Sequence, residues 1–187
     1  MSVNQDIFLI INSFANQNIA IDIIVIYIAK LTPFLFISIE IILFFIFKLK
    51  NEAIFSFYSM LLALLFSKTI SLFYYHNRPF VDNLGVSIVE HLPDSSFPSD
   101  HTTFMMAIVI SFFFYSKTKK LFYMLFAIAL LGGLSRIFVG VHYPFDILAA
   151  ILVGGMSSFI IFKVSNKLQM INDYILNIES KIYKYFK

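Results

Sequence analysis

Residues 121–135, LFYMLFAIALLGGLS, and residues 147–162, ILAAILVGGMSSFIIF, are two apolar stretches without a charged side chain. Similar stretches occupy 53–67 and 102–116, and each of the four is 15 or 16 residues long. A helix that crosses the hydrocarbon core of a bilayer needs about 20 residues. The missing length can be supplied at both ends of each helix. At one end, lysine side chains extend to the headgroups, and at the other end, polar residues face a hydrated pocket. These stretches therefore predict membrane-spanning helices.

The composition of the 187-residue chain also indicates a lipid environment. Hydrophobic residues make up 59% of it and charged residues 13%, against roughly 45–50% and about 25% in soluble domains. This excess disfavours the alternative of a soluble helical bundle. The net charge of +3 comes from lysines beside apolar stretches, which favours membrane lipids over nucleic acid as partners. No linker or repeat divides the sequence, so we expect a single domain over residues 1–187.

The distribution of charge predicts the side of the membrane that each helix end faces. If the segment 76–100 lies on one side, the lysines near positions 48–50, 117–120 and 163–167 all fall on the other. Basic flanks are typical of the cytoplasmic side. The segment 76–100 has four carboxylates and only one Lys or Arg, so we expect it on the extracytoplasmic side.

The remaining segments complete the predicted architecture, an all-α membrane bundle. Residues 4–15 are short and interrupted by polar side chains, which favours an interfacial or re-entrant helix. Residues 19–31 and 33–49 are predicted as separate helices, with Pro33 at the start of the second. The tail 168–187 alternates apolar and polar residues at helical spacing, which predicts an amphipathic helix on the cytoplasmic membrane surface.

Three polar clusters interrupt the apolar sequence, and the predicted topology brings all three to the extracytoplasmic side. They are Arg78-Pro79, Pro98-Ser99-Asp100-His101, and Ser135-Arg136 followed by His142 and Asp146. Each cluster alone is weak evidence. Together they supply what phosphoryl transfer needs, because the protein must neutralise the phosphate oxygens and align a nucleophile with the leaving group.

The first group of predicted site residues binds phosphate. Arginine presents a planar fork that matches two phosphate oxygens, which predicts Arg78 and Arg136 as ligands. Ser99 and the backbone N–H groups of Asp100 and His101 should lie at a helix N-terminus, where anions bind.

The second group carries the predicted chemistry. His142 can attack phosphorus and form a phosphoenzyme. Asp146 follows one helical turn later and can keep one ring nitrogen of His142 protonated while directing the other. His101 is then available to protonate the leaving oxygen and later to activate water.

In order and spacing, these clusters resemble the motifs of the type 2 phosphatidic acid phosphatase superfamily. That pattern is a lysine and Arg-Pro, then Pro-Ser-Gly-His, then Ser-Arg followed by His and Asp. The resemblance covers about residues 60–165, and the third motif matches at every fixed position. It implies a six-helix membrane bundle and a phosphatase that needs neither metal nor cofactor. It also implies a nucleophile at His142 and a general acid and base at His101.

The chain departs from the family pattern at two positions. The family lysine stands seven residues before the arginine, where this chain has Ser71, and the nearest lysine is Lys68. Lys68 either reaches the phosphate or forms a structural pair with Glu40 or Asp22 at similar depth, and both alternatives stay open. Asp100 replaces glycine, and we expect its side chain to cap the following helix and point away from the phosphate.

The strings PSDHTT at 98–103, SRIFVG at 135–140 and HYP at 142–144 further resemble the bacitracin-resistance branch of undecaprenyl diphosphatases. This resemblance implies hydrolysis of undecaprenyl diphosphate on the outer face of a bacterial plasma membrane, which recycles the lipid carrier of cell-wall synthesis. One alternative is a phosphatase for phosphatidylglycerophosphate or phosphatidic acid. The other is a carrier that binds lipid phosphate without hydrolysing it.

Two other sets of residues have ordinary structural explanations. His76 and His91 match no motif position, so we predict that neither contacts the substrate. The pairs Gly132-Gly133 and Gly154-Gly155 lie within apolar stretches, which favours close helix packing over a phosphate loop.

Overall fold

The structure, a computed structural model, describes residues 2–47, 49–115 and 117–185, with side chains as far as residue 182. Within these ranges it contains six α-helices and no β-strand. The helices are α1 (Val3–Asn12), α2 (Ile19–Phe45), α3 (Lys50–Phe73), α4 (Asp100–Phe114), α5 (Lys119–Phe138) and α6 (Pro144–Tyr185). The prediction of an all-α bundle of about six helices is therefore confirmed.

The short helix α4 lies at the centre of the bundle. In the described part of the chain, α2, α3, α5 and α6 are each long and apolar enough to cross a membrane, whereas α4 has 15 residues. The side chains from Met105 to Val109 are fully buried, and α4 packs against α3, α5 and α6. The core thus surrounds the helix that begins with the Ser99-Asp100-His101 motif.

Ion pairs identify one end of the bundle, which we call the lysine end (Lys50, Lys117, Lys119 and Lys120). Lys117 Nζ lies 3.5 Å from Glu52 Oε1, which joins the α4–α5 turn to the start of α3. Lys50 Nζ lies 2.7 Å from Glu179 Oε2, which joins the same end to the last part of α6. Lys48, also expected here, lies outside the described residues. We call the opposite end, where α4 and α6 begin, the motif end.

Helix α1 lies at the motif end and does not cross the bundle. Its buried last residue, Asn12, donates from Nδ2 to the carbonyl oxygens of Val86 and Phe138, both at 2.8 Å. Phe8 packs edge-on against Tyr143, with ring centroids 5.3 Å apart. With 10 residues, α1 is too short to span a bilayer, in agreement with the predicted interfacial helix.

The prediction of two helices meeting at Pro33 is wrong. Residues Ile19–Phe45 form one continuous helix of roughly 40 Å at 1.5 Å per residue, with Pro33 inside it. The hydroxyl of Thr32 donates to the Ile28 carbonyl one turn earlier. Proline is tolerated inside membrane helices when hydroxyls and neighbouring helices satisfy nearby backbone groups, so a helix start is not required.

The predicted C-terminal amphipathic helix is the continuation of α6. At 42 residues, α6 is about 63 Å long, roughly twice the thickness of the hydrocarbon core. Its last part exposes apolar side chains such as Met170 and Tyr174. Gln169 and Asn172 instead donate to Asn51 Oδ1 at the start of α3. Residues 186–187 of the predicted helix lie outside the described residues.

Three of the four paired glycines allow close helix contacts, as predicted. A Cβ at Gly154 would lie 2.8 Å from the backbone nitrogen of Ala107 in α4. A Cβ at Gly132 would lie 2.9 Å from Met105 Cε, and one at Gly133 would lie 3.0 Å from an Ile147 methyl group. Gly155 differs, since its nearest neighbour would be 3.5 Å away. The backbones of α4, α5 and α6 are thereby held close beneath the motif end.

Candidate active site

The three polar clusters meet at the motif end of the bundle. Arg78 NH1 donates to the Val141 carbonyl at 2.9 Å, which joins the first cluster to the third. Ser99 N donates to the Asp146 carbonyl at 3.3 Å, which joins the second cluster to the third. The structure therefore brings together the predicted residues Arg78, Ser99, Asp100, His101, Arg136, His142 and Asp146.

The His142 ring is oriented by acceptors around one of its nitrogens. Nδ1 lies 3.0 Å from the Ser96 carbonyl oxygen and 3.4 Å from Asp146 Oδ2. Because these are acceptors, Nδ1 carries the ring proton in the neutral form, and Nε2 keeps its lone pair. Nε2 lies 3.1 Å from Arg78 NH1. The nitrogen suited to nucleophilic attack thus faces a guanidinium group.

The environment keeps His142 neutral. The ring is 1% exposed. Burial, followed by the positive charges of Arg78, Arg136, His91 and His101, lowers the pKa of His142 well below the ordinary 6.5. At neutral pH the ring therefore retains the lone pair that attack on phosphorus requires.

Asp146 organises the turn between α5 and α6. Its Oδ2 accepts from the backbone N–H of Tyr143 at 2.7 Å and from the Ser96 hydroxyl. The same oxygen is the one that lies 3.4 Å from His142 Nδ1, farther than the Ser96 carbonyl. Asp146 therefore positions His142 mainly through its neighbours, and shares the Nδ1 contact with Ser96.

The two arginines differ in how their donors are used. Arg78 is buried and donates from Nε to Asp94 Oδ1 at 2.9 Å, in addition to its contacts with Val141 and His142. Arg136 is also buried, yet its Nε and NH2 groups have no hydrogen-bond partner among the described residues. A buried guanidinium without partners carries a large desolvation cost. Arg136 is therefore matched to an anion supplied from outside the protein.

The N-terminus of α4 offers further donors to an anion. Ser99 is the N-cap, and its hydroxyl oxygen accepts from Thr102 N. The backbone N–H groups of Asp100 and His101 bond to no acceptor within the described ranges. A helix N-terminus with free amides at a cationic site binds phosphate well.

The prediction that the Asp100 side chain caps α4 is wrong. Its carboxylate accepts from the Ser67 hydroxyl on α3 at 2.5 Å, while Ser99 caps the helix. Asp100 stands one position past the cap and its side chain is exposed toward α3, so it links two helices.

Lys68 does not form the structural pairs considered for it. Glu40 accepts from Ser56 Oγ at 2.7 Å, and Asp22 accepts from Asn16 N at 3.1 Å. Lys68 itself is exposed on α3 and forms no ion pair within the part of the chain that the structure describes. Its role as a phosphate ligand stays a prediction.

A largely apolar groove of about 250 Å³ leads away from His101 between α2, α3 and α4. Its lining residues are Pro33, Ile37, Leu64, Asp100, His101 and Phe104. The motif end therefore has a polar centre, formed by the arginines and His142, and an apolar extension that starts beside His101.

The structure brings three further residues to this centre: Ser96 and Asp94, which the motifs did not indicate, and His91, which we predicted not to contact the substrate. Ser96 contacts both Asp146 and His142, and Asp94 pairs with Arg78. The ring of His91 lies 6.4 Å from that of His142, measured between centroids. Ser96 stands two residues before a motif, which is a usable indication, whereas the positions of Asp94 and His91 follow from the path of an irregular segment.

Comparison with known proteins agrees with this geometry. The family model described as the PAP2 superfamily matches residues 52–170. The undecaprenyl-diphosphatase BcrC of Bacillus subtilis is 31% identical over 182 residues, which cover 96% of this chain and 93% of that protein.

Two solved structures share the fold. LpxE of Aquifex aeolicus superimposes with a TM-score of 0.69 at 23% identity, over 87% of this chain and 96% of that one. A transmembrane PAP2-type phosphatidylglycerolphosphate phosphatase from Bacillus subtilis gives a TM-score of 0.68 at 21% identity, over 88% and 85%. The family model matches more than half of the present chain, and the motifs meet at one end of the bundle. This multi-pass membrane protein therefore belongs to the PAP2 superfamily.

Proposed function

We propose that the protein hydrolyses the terminal phosphate of undecaprenyl diphosphate, without a metal ion, and releases undecaprenyl phosphate and inorganic phosphate. The observation that carries the proposal is the buried guanidinium of Arg136, whose Nε and NH2 lack partners among the described residues and whose charge acts on His142. The identity to an undecaprenyl-diphosphatase over nearly the whole chain supports this substrate.

The proposed reaction has two steps, with His142 as the nucleophile. Its Nε2 attacks the terminal phosphorus, and the bond from that phosphorus to the bridging oxygen breaks. His101 gives a proton to the departing oxygen. Water, activated by His101, then breaks the N–P bond of the phosphohistidine and restores His142. The Nδ1 proton stays with the Ser96 carbonyl and Asp146 throughout.

The phosphate oxygens need compensation for the charge that develops in the transition state. In the proposal, Arg136 supplies its free donors and Arg78 contributes from beside Nε2. Ser99 holds the start of α4 so that the amides of Asp100 and His101 face the anion. Lys68 is proposed as a further ligand that approaches from α3.

The apolar groove beside His101 supports a lipid substrate. A polyprenyl chain attached to the leaving phosphate can lie against Ile37, Leu64 and Phe104, because these apolar side chains line the groove that begins at His101. The proposal places the motif end on the extracytoplasmic side of a bacterial plasma membrane, since the opposite end holds the lysines. There the reaction would recycle the lipid carrier of cell-wall synthesis and oppose bacitracin.

The test uses purified protein in detergent with a metal chelator. We expect release of phosphate from undecaprenyl diphosphate, and its loss in His142→Ala without a change in the thermal unfolding temperature that would indicate misfolding. A requirement for an added divalent cation would overturn the mechanism, and so would undiminished release by His142→Ala.

The same preparation distinguishes the alternative functions. Values of kcat/KM are compared for undecaprenyl diphosphate, phosphatidylglycerophosphate and phosphatidic acid. A preference for either monophosphate lipid would replace the proposed substrate with that lipid. Binding of these lipids without hydrolysis of any of them would favour a carrier.

A further inference from the structure

A third histidine lies beside the two motif histidines, and no motif position accounts for it. His91 belongs to the segment between α3 and α4, and its ring centroid lies 6.4 Å from that of His142, with the ring planes at 73°. The His91 side chain is 21% exposed, whereas His142 is 1% exposed. His91 is therefore the more solvent-accessible of the two neighbouring rings.

Protein contacts hold one edge of the His91 ring and leave the other edge free. Nδ1 lies 3.1 Å from the Leu92 carbonyl oxygen, so Nδ1 carries the proton in the neutral ring. It also lies 3.7 Å from Asp94 Oδ1, the atom that accepts from Arg78 Nε. Nε2 of His91 has no hydrogen-bond partner among the residues described. His91 is thus fixed next to Arg78 with one nitrogen available to a ligand.

The charges around His91 favour an anion beside it. Burial and the positive charges of Arg78 and Arg136 lower the pKa of His91, and they outweigh the opposing effects of the Leu92 hydrogen bond and Asp94. The imidazoles of His101 and His142 are also close enough to His91 for charge on one ring to act on the other. A phosphate dianion beside His91 acts in the opposite direction and raises its pKa, because negative charge next to the ring favours the protonated form. The protonated Nε2 is then a donor to phosphate.

We propose that Nε2 of His91 binds an oxygen of the terminal phosphate, from the solvent side of Arg78 and Arg136. His91 is then a third imidazole in contact with the reacting group, in addition to the motif histidines. The inference depends on the proposed function for the identity of the lipid, while the contact itself is with phosphate.

Two substitutions separate a phosphate contact from a structural role. The amide nitrogen of glutamine can take the position of Nε2, whereas the amide of asparagine can take the position of Nδ1. His91→Asn therefore keeps the Leu92 contact and loses the phosphate contact. His91→Gln keeps the phosphate contact and loses the Leu92 contact. Glu90→Gln, at the preceding exposed position, is the control.

The measurements are binding of inorganic phosphate by calorimetry, kcat/KM for undecaprenyl diphosphate, and thermal unfolding. We expect His91→Asn to weaken phosphate binding and to lower kcat/KM, each by about 10- to 100-fold, as for loss of a hydrogen bond to a charged group. His91→Gln should lose less than about tenfold, because a neutral donor remains. Glu90→Gln should match the wild type.

Equal phosphate affinity in the wild type and His91→Asn would overturn the inference. Equal losses in both His91 variants with lower unfolding temperatures would also overturn it, since they would indicate a structural role. A wild type that hydrolyses no lipid phosphate would refute the proposed function alone, provided that phosphate binding still depends on His91. A wild type that does not bind phosphate would refute both.

Discussion

Replacing Arg136 with methionine should remove most of the activity and leave the fold at least as stable. Arg136 is buried, and two of its donor groups have no partner in the described structure. Methionine fills a similar unbranched space without a charge. Arg78 provides the matched comparison, because it is equally buried but donates to Asp94 and Val141.

The magnitude follows from the number of free donors. A hydrogen bond to a charged group contributes about 1.5–3 kcal/mol, so losing two from Arg136 to phosphate costs roughly 3–6 kcal/mol. This corresponds to about a 10²- to 10⁴-fold lower kcat/KM. In the unliganded protein, the same substitution removes a buried charge that has no counter-ion in the described residues. The free energy of unfolding should therefore stay the same or rise.

The assay combines kcat/KM for undecaprenyl diphosphate with thermal unfolding in the same detergent. Arg78→Met should lose both activity and stability, because it leaves the buried Val141 carbonyl without its donor. Arg136→Met should lose activity alone. The reasoning would be refuted if Arg136→Met unfolded at as low a temperature as Arg78→Met, or if its activity stayed within about tenfold of the wild type.

Three further predictions concern helix packing, orientation of the nucleophile and pH. Gly154→Ala places a Cβ 2.8 Å from a backbone nitrogen of α4 and should destabilise the protein by about 1–3 kcal/mol, whereas Gly155→Ala should unfold at or above the wild-type temperature. Asp146→Asn should lower kcat more than it changes KM. The loss of kcat should be smaller than the roughly 10⁴-fold loss for a serine-protease aspartate, because the Ser96 carbonyl still orients the His142 ring. A change in KM alone would contradict this prediction. Because the pKa of His142 is lowered below 6.5 in the folded state, the unfolded chain binds more protons below that pH. Wild-type stability should therefore fall more steeply than that of His142→Gln as pH decreases from 6.5. The same dependence of unfolding temperature on pH in both proteins would contradict this prediction.

The convergence of the motifs was predictable because the charge pattern sets the direction of each helix. Lysines at the start of α3 and α5 imply that these helices end on the opposite side, and the end of α5 carries Arg136. Spacing alone then places His142 just before α6 and Asp146 in the first turn of that helix. Ser99 could be assigned to the start of α4 because serine is a preferred N-cap before an apolar helix.

Contacts that depend on long-range packing could not be predicted in the same way. Pro33 looked like a helix start because local rules do not include the neighbouring helices that tolerate a proline inside a membrane helix. The partner of Asp100 is a hydroxyl 33 positions away on α3, which no local pattern indicates. The segment between α3 and α4 has no helical or strand periodicity, so the positions of His91 and Asp94 follow only from its path in three dimensions.

The most direct test of the account is detection of the covalent intermediate. Undecaprenyl diphosphate labelled in its terminal phosphate is mixed with the protein, and the reaction is stopped in alkali, which preserves phosphohistidine. If His142 is the nucleophile, the protein carries label that acid releases, located at His142 and absent from His142→Gln. Hydrolysis by the wild type without bound label, or label retained by His142→Gln, would contradict it.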